Sequence, residues 1–180
     1  MKLPHSFYNR PTLQVAQELL GKILVIGKCK GRINEVEAYI GENDPACHAA
    51  VGKTERNAVM FEKAGTMYVY FTYGMYHCMN VVTEKKGFPA AVLIRSVKPL
   101  EGVEIMEKRR GKKGHLADGP GKLCIAFGLN KKEHNGIDLC KNTECTIEDD
   151  GFKPKVIKSS PRIGIRVGLE HHWRFLCDVI

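Results

Sequence analysis

Hydrophobic and polar positions alternate along this chain with two different periods. Between Pro11 and Gly21, Leu13, Ala16, Leu19 and Leu20 recur at helical spacing, with a proline at the start and a glycine at the end. A short helix packed on a sheet is predicted there. From Lys22 to Ile40 the period falls to two, and the run reads as two strands turning near Lys30 and Gly31. On the second strand Ile33, Glu35, Glu37 and Tyr39 share one face, and Asn34, Val36, Ala38 and Ile40 share the other. Residues 41 to 64 read as loop or short helix. Residues 65 to 82, GTMYVYFTYGMYHCMNVV, alternate about Gly74 as a hairpin.

Further on, AAVLIRSV reads as a buried strand with one charge, Arg95, in its middle. A helix entered at Pro99 should follow, and a second should span GKLCIAFGL. The segments TIEDD, PRIGIRVG and WRFLCDVI read as short strands and loops. Strands dominate without β-α-β alternation, which predicts an α+β fold on an antiparallel sheet, in a single domain covering residues 1–180.

Composition narrows the chemistry. With 43% hydrophobic residues the chain can build a core unaided, and 28 basic against 20 acidic side chains give +8, a field that attracts polyanions, nucleic acid foremost. Seven scattered cysteines, an odd number with no C-x-x-C pair, argue against a disulfide framework or zinc ribbon and for a reducing compartment. No metal and no cofactor are expected, since no ligand motif is present and GPGKL lacks the spacing of a phosphate loop. The start, MKLPHSFYNR, has no apolar stretch of a secretory signal. The basic run EKRRGKKGH, 107 to 115, is the nearest thing to a mobile loop.

Residues 64 to 83 carry no formal charge, yet a membrane span is excluded by four phenols, Thr66, Thr72, His77 and Asn80, which would each need a partner in hydrocarbon. The hairpin is then either core or an aromatic surface on which bases can stack. Glu37 sits mid-strand beside Val36 and Ala38 with Tyr39 on its face. Arg95, costly to bury alone, needs a carboxylate, and Glu35 or Glu37 can supply it. His48 follows the turn-like ENDPAC.

The ordered set EVEAYIGENDPACHA, TERNAVMF, GTMYVYFTYGMYHCMNVV, AAVLIRSVKPLEG and GPGKLCIAFGLN resembles the alkyladenine (3-methyladenine) DNA glycosylase family over nearly the whole chain. The resemblance implies a compact fold on a curved antiparallel sheet, with short packed helices and a protruding hairpin. It implies a monofunctional hydrolase that flips damaged purines from duplex DNA and acts as a monomer away from membranes. Its place would be the nucleoid of a prokaryotic cytoplasm or a eukaryotic nucleus. By position, Glu37 matches the carboxylate that activates water, and Arg95 the arginine that helps to hold it. Tyr39, His48 and Tyr70 match residues enclosing the flipped base, and Asn80 the one opposing the amino group of guanine. Tyr73 matches the wedge that fills the gap in the duplex, with Met75 and Tyr76 beside it. Residues 141 to 160 would form part of the pocket's far wall.

Two other readings remain from the residues alone. One is a non-catalytic nucleic-acid-binding domain built on the same charge and aromatics. The other is a carbohydrate hydrolase with Glu35 and Glu37 as its acid pair, roughly 6.5–7 Å apart along one strand face.

Overall fold

The structure, a computed structural model, describes residues 1–179. Helices α1 (His5–Tyr8) and α2 (Thr12–Leu19) precede strands β1 (Ile23–Ile26) and β2 (Cys29–Ile40). Two 3-10 turns, His48–Val51 and Ala58–Phe61, lead to the hairpin of β3 (Met67–Thr72) and β4 (Tyr76–Val82), and then to β5 (Ala90–Glu101). Helices α3 (Val103–Arg110), α4 (Pro120–Phe127) and α5 (Lys131–His134) are followed by β6 (Cys145–Glu148), β7 (Ile157–Ser160) and β8 (Arg174–Cys177). The strands form one sheet in the order β3-β4-β5-β2-β1-β6, while β8 pairs with β2 and carries β7. This is the expected α+β fold, with its antiparallel sheet curled into a half-barrel.

The two-residue period of the strands sorts the side chains. Val36, Ala38, Val69, Met79, Val81 and Ile94 enter the main core, where α2 adds Val15 and Leu19 and α4 adds Leu123 and Phe127. Each such full burial of a Val or Leu stabilises by ~1.5–3 kcal/mol relative to exposure. The residues between them, including Glu37, Tyr39, Tyr70, Asn80 and Arg95, are therefore carried to the opposite face, where they line one cavity.

Three local expectations are corrected. The first hairpin turns at Gly27 and Lys28, because Ile26 pairs with Cys29, and Gly27 supplies the positive φ of 54°. Gly31 lies inside β2 for a different reason: a Cβ there would meet Val97 Cγ2 at 2.6 Å. Ile33 belongs with Val36 in the main core, not on the face of Glu35, since register shifts between Ile33 and Glu35 and between Glu35 and Val36 mark a bulge. Pro99 starts no helix. It sits in β5 opposite Gly31, next to another register shift, and the strand continues to Glu101 before Gly102 turns the chain into α3. At Gly102 a Cβ would stand 2.6 Å from the Lys28 carbonyl, so only glycine fits that turn.

Candidate active site

One register row across the sheet builds the floor of the cavity. Tyr68 on β3 pairs with Asn80 on β4, Asn80 with Leu93 on β5, and Leu93 with Glu37 on β2. At ~4.8 Å between strands, Tyr68 and Glu37 stand roughly 14 Å apart along the row. The cavity above it measures about 310 Å³.

Glu37 is 0% exposed, and each of its oxygens has a partner. The Tyr39 hydroxyl donates to Oε2 at 2.8 Å, and the Ile163 amide donates to Oε1 at 2.7 Å. Arg95 Nη1 lies 3.4 Å from Oε1. Such donors keep a buried carboxylate from standing as an uncompensated charge. Burial, then the charge of Glu37, holds the Tyr39 phenol far above its usual range, so it stays protonated and able to donate.

Glu35 has a different task. Its Oε1 accepts from Arg95 Nε at 2.9 Å and from Arg174 Nε at 2.7 Å, which fastens β5 and β8 to β2. Both carboxylates therefore share Arg95, answering which of them pairs with it. Glu37 and Arg95 line the cavity and Glu35 does not, so the two glutamates are not an acid pair across a substrate.

The side walls are aromatic. His48 Nδ1 lies 3.0 Å from the Tyr68 hydroxyl, and its ring meets Tyr70 edge-on with centroids 4.4 Å apart. His48 is held in place from behind, where Asn57 Nδ2 donates to its carbonyl at 2.9 Å and to that of Gly52 at 2.8 Å. Burial and the nearby Arg56 lower the pKa of His48, favouring the neutral ring. Asn80 is 3% exposed and donates from Nδ2 to the Tyr68 carbonyl at 3.1 Å, which fixes its side chain against the cavity.

The hairpin tip is largely exposed at the rim of the cavity. Tyr73 is 80% exposed and Met75 63%, while Tyr76 is 40% exposed and packs toward α4, where a Cβ at Gly121 would come within 3.0 Å of its ring. Tyr73 (φ 52°) and Gly74 (φ 67°) are both left-handed, and Met75 donates back to the Thr72 carbonyl at 3.2 Å. This is the geometry of a type I′ turn, with a tyrosine where Asn or Gly is usual. Of the residues singled out in sequence, Glu37, Tyr39, His48, Tyr70, Tyr73, Asn80 and Arg95 line the cavity, and Met75 and Tyr76 follow Tyr73 at the hairpin turn without lining it.

The far wall is corrected. Ile163, Gly164 and Ile165 line the cavity, whereas residues 141 to 160 supply the short strands β6 and β7. Behind that wall lies a pair the sequence did not disclose. Arg162 donates to both oxygens of Asp44, at 2.6 and 2.8 Å, and both side chains are 0% exposed. The sequence marked PRIGIRVG only as short strand or loop, and nothing in it pointed 118 positions back to Asp44.

A possible ligand group lies elsewhere: His5, Asp138 and Cys140 offer atoms within 4.8 Å of one another. Lys63 Nζ already sits 2.7 Å from Asp138 Oδ2, and none of the three residues lines the cavity.

A buried carboxylate under a cavity walled by tyrosines, on a basic protein, fits hydrolysis of a bond to an aromatic base. Residues 6–179 match the methylpurine-DNA glycosylase family. A protein of Methanocella arvoryzae is 53% identical over 96% of this chain and 90% of its own length. One of Wolbachia pipientis wMel is 51% identical over 96% and 89%, and one of Clostridium perfringens 45% over 97% and 95%. Each of the three carries the name "Putative 3-methyladenine DNA glycosylase". In class, then, the chain is a monofunctional DNA glycosylase for alkylated bases, working in base-excision repair. It belongs to the methylpurine-DNA glycosylase family.

Proposed function

We propose that the chain extrudes damaged purines from duplex DNA into the 310 Å³ cavity and hydrolyses the N-glycosidic bond with a water activated by Glu37, acting as a monomer on chromosomal DNA. The observation that carries this reading is Glu37 itself, a fully buried carboxylate on the wall of an aromatic cavity, held by Tyr39, Arg95 and the Ile163 amide. Loss of a purine passes through an oxocarbenium-like state, which a carboxylate near the sugar stabilises while it accepts the proton of the attacking water. A base made cationic by alkylation leaves readily, so a second acid is not required. The same charge is drawn to the face of Tyr39 by ~0.5–2 kcal/mol.

In this reading Tyr39, His48 and Tyr70 enclose the base and Asn80 opposes the exocyclic amino group of guanine. Tyr73 enters the duplex where the nucleotide has left, and Met75 and Tyr76 rest on DNA. Extrusion costs a few kcal/mol, which one base stacked on Tyr39 at ~1–3 kcal/mol and a filled gap can offset. A domain that only bound nucleic acid would have no use for a carboxylate held in this way, since it repels phosphate. The test is base release from duplexes carrying one alkylated adenine, alkylated guanine or hypoxanthine at a defined site, beside undamaged DNA and with EDTA present. Release of damaged bases alone is expected. Release from none of them would overturn the proposal.

A further inference from the structure

The Ile163–Ile165 wall of the cavity belongs to an irregular stretch between β7 and β8. Its residues are exposed or half-exposed from Ser159 to Val167 with one exception, Arg162, at 3%. A chain segment with so little buried surface opens readily unless something ties it down. Arg162 is that tie. Besides Asp44, it donates to the Ala38 carbonyl at 2.9 Å, and its guanidinium lies 4.7 Å from the centre of the Tyr39 ring and 5.1 Å from that of Trp173. It does not line the cavity, so it backs Tyr39 from the far side.

Asp44 is equally committed. Its oxygens also accept from the amides of Ile40 and Ala46, each at 3.1 Å. Burial pushes its carboxyl up, but the bonds from Arg162 and those amides outweigh burial and hold it below its ordinary value.

We infer that the Asp44–Arg162 pair is a positioning device for catalysis, a clamp that sets both the Ile163 amide on Glu37 and the ring plane of Tyr39. The covalent path is short. Arg162 is joined to Ile163, whose N–H reaches Glu37 at 2.7 Å, and Arg162 stacks on the ring whose hydroxyl reaches the other oxygen of Glu37 at 2.8 Å. One guanidinium thereby governs two of the three groups that orient the carboxylate. The bidentate fork makes the geometry specific, and a lysine cannot reproduce it. Gly168 follows from the same packing, since a Cβ there would come within 3.0 Å of Arg162 Nη2.

This inference rests on the reading of Glu37 as the base, so Glu37→Gln is the reference for every measurement. In single-turnover excision from lesion DNA, wild type should react and Glu37→Gln should not. That difference tests the base alone. Arg162→Lys and Arg162→Gln, confirmed folded by circular dichroism, should then lose about 10²-fold in the excision step, as expected for a reacting group misplaced by about 1 Å. Affinity for undamaged duplex should be unchanged, and Arg162→Lys should recover little. Hydrogen exchange on the wild-type protein gives a measurement that needs no variant: the Ile163 amide should exchange slowly, like a bonded one. Fast exchange at Ile163, wild-type excision by a folded Arg162 variant, or equal losses in excision and in undamaged-duplex affinity would each overturn the clamp.

Discussion

The Tyr39 hydroxyl donates a 2.8 Å hydrogen bond to Oε2 of Glu37, two residues away on the same face of β2. The ring proposed to stack on the base and the carboxylate proposed to activate water are thus one mechanical unit. In the proposed complex, a base pressing on Tyr39 would also set the orientation of Glu37. Tyr39→Phe separates the two contributions because it keeps the ring and removes the donor. Lesion-DNA affinity should hold while single-turnover excision falls about 10- to 150-fold, the worth of ~1.5–3 kcal/mol for a hydrogen bond to a charged group. Tyr39→Leu should lose affinity as well. Equal effects of the two substitutions on affinity would place the role of Tyr39 in its hydroxyl alone.

Asn80 donates to the Tyr68 carbonyl, a bond that holds its side chain at the cavity, where it is proposed to oppose the amino group of guanine. Rejection of the vast excess of normal guanine needs such a repulsive element, because stacking barely separates guanine from hypoxanthine. Asn80→Ser should raise guanine excision, most visibly from mismatched pairs, and leave hypoxanthine excision nearly unchanged. The ratio of the two single-turnover rates is the quantity to compare. If the mutant keeps the wild-type ratio, discrimination lies in the Ile163–Ile165 wall.

Tyr73 is strained as well as exposed. A non-glycine residue in the left-handed region costs roughly 1–2 kcal/mol, and the ring repays little of it in the free protein at 80% exposure. Tyr73→Gly should therefore unfold at the same temperature as wild type or somewhat higher, even after the extra unfolded-state entropy of glycine. Its affinity for lesion DNA should fall more than its affinity for undamaged duplex. A lower melting temperature, or equal weakening on both DNAs, would make Tyr73 a structural residue.

His48 predicts a pH dependence of stability. Burial and Arg56 lower its pKa in the folded state below the ordinary value near 6.5, so the unfolded chain binds the proton more readily. Stability contributed by the neutral ring is complete well above pH 6.5 and is lost as the pH falls through 6.5 toward the folded-state value. His48→Gln should flatten that part of the profile in chemical denaturation at pH 7.5 and 5.5 (about one pH unit to either side of the ordinary histidine value). An identical slope in both proteins would assign the dependence to other groups.

Strand alternation made much of this site legible, because a two-residue period dictates faces once a strand is recognised, and Glu37 and Tyr39 follow from it directly, while Arg95 stood out as the lone charge of an apolar run. Family resemblance added proposed roles for His48, Asn80 and Tyr73. The bulge near Glu35 was hidden, since an inserted residue leaves the local pattern plausible on either face. Gly27 and Gly31 look alike in sequence, and only the approach of Val97 to Gly31 tells the turn glycine from the packing glycine. Pro99 reads as a helix start, yet pairing with Gly31 keeps it in a strand. The Asp44–Arg162 pair and the Ile163 amide are products of long-range closure, with partners 118 and 126 positions apart in sequence, so no local spacing reveals them.

The central claim is that Glu37 is the general base, and Glu37→Gln tests it most directly. The amide has nearly the shape of the carboxylate, so the cavity and its DNA contacts should survive. Single-turnover release of an alkylated purine from a defined duplex, measured with enzyme in excess beside the affinity for the same DNA, separates chemistry from binding. Affinity should be unchanged and the rate lower by ~10²–10⁴-fold or more. Release at the wild-type rate by the folded Glu37→Gln protein would contradict that claim.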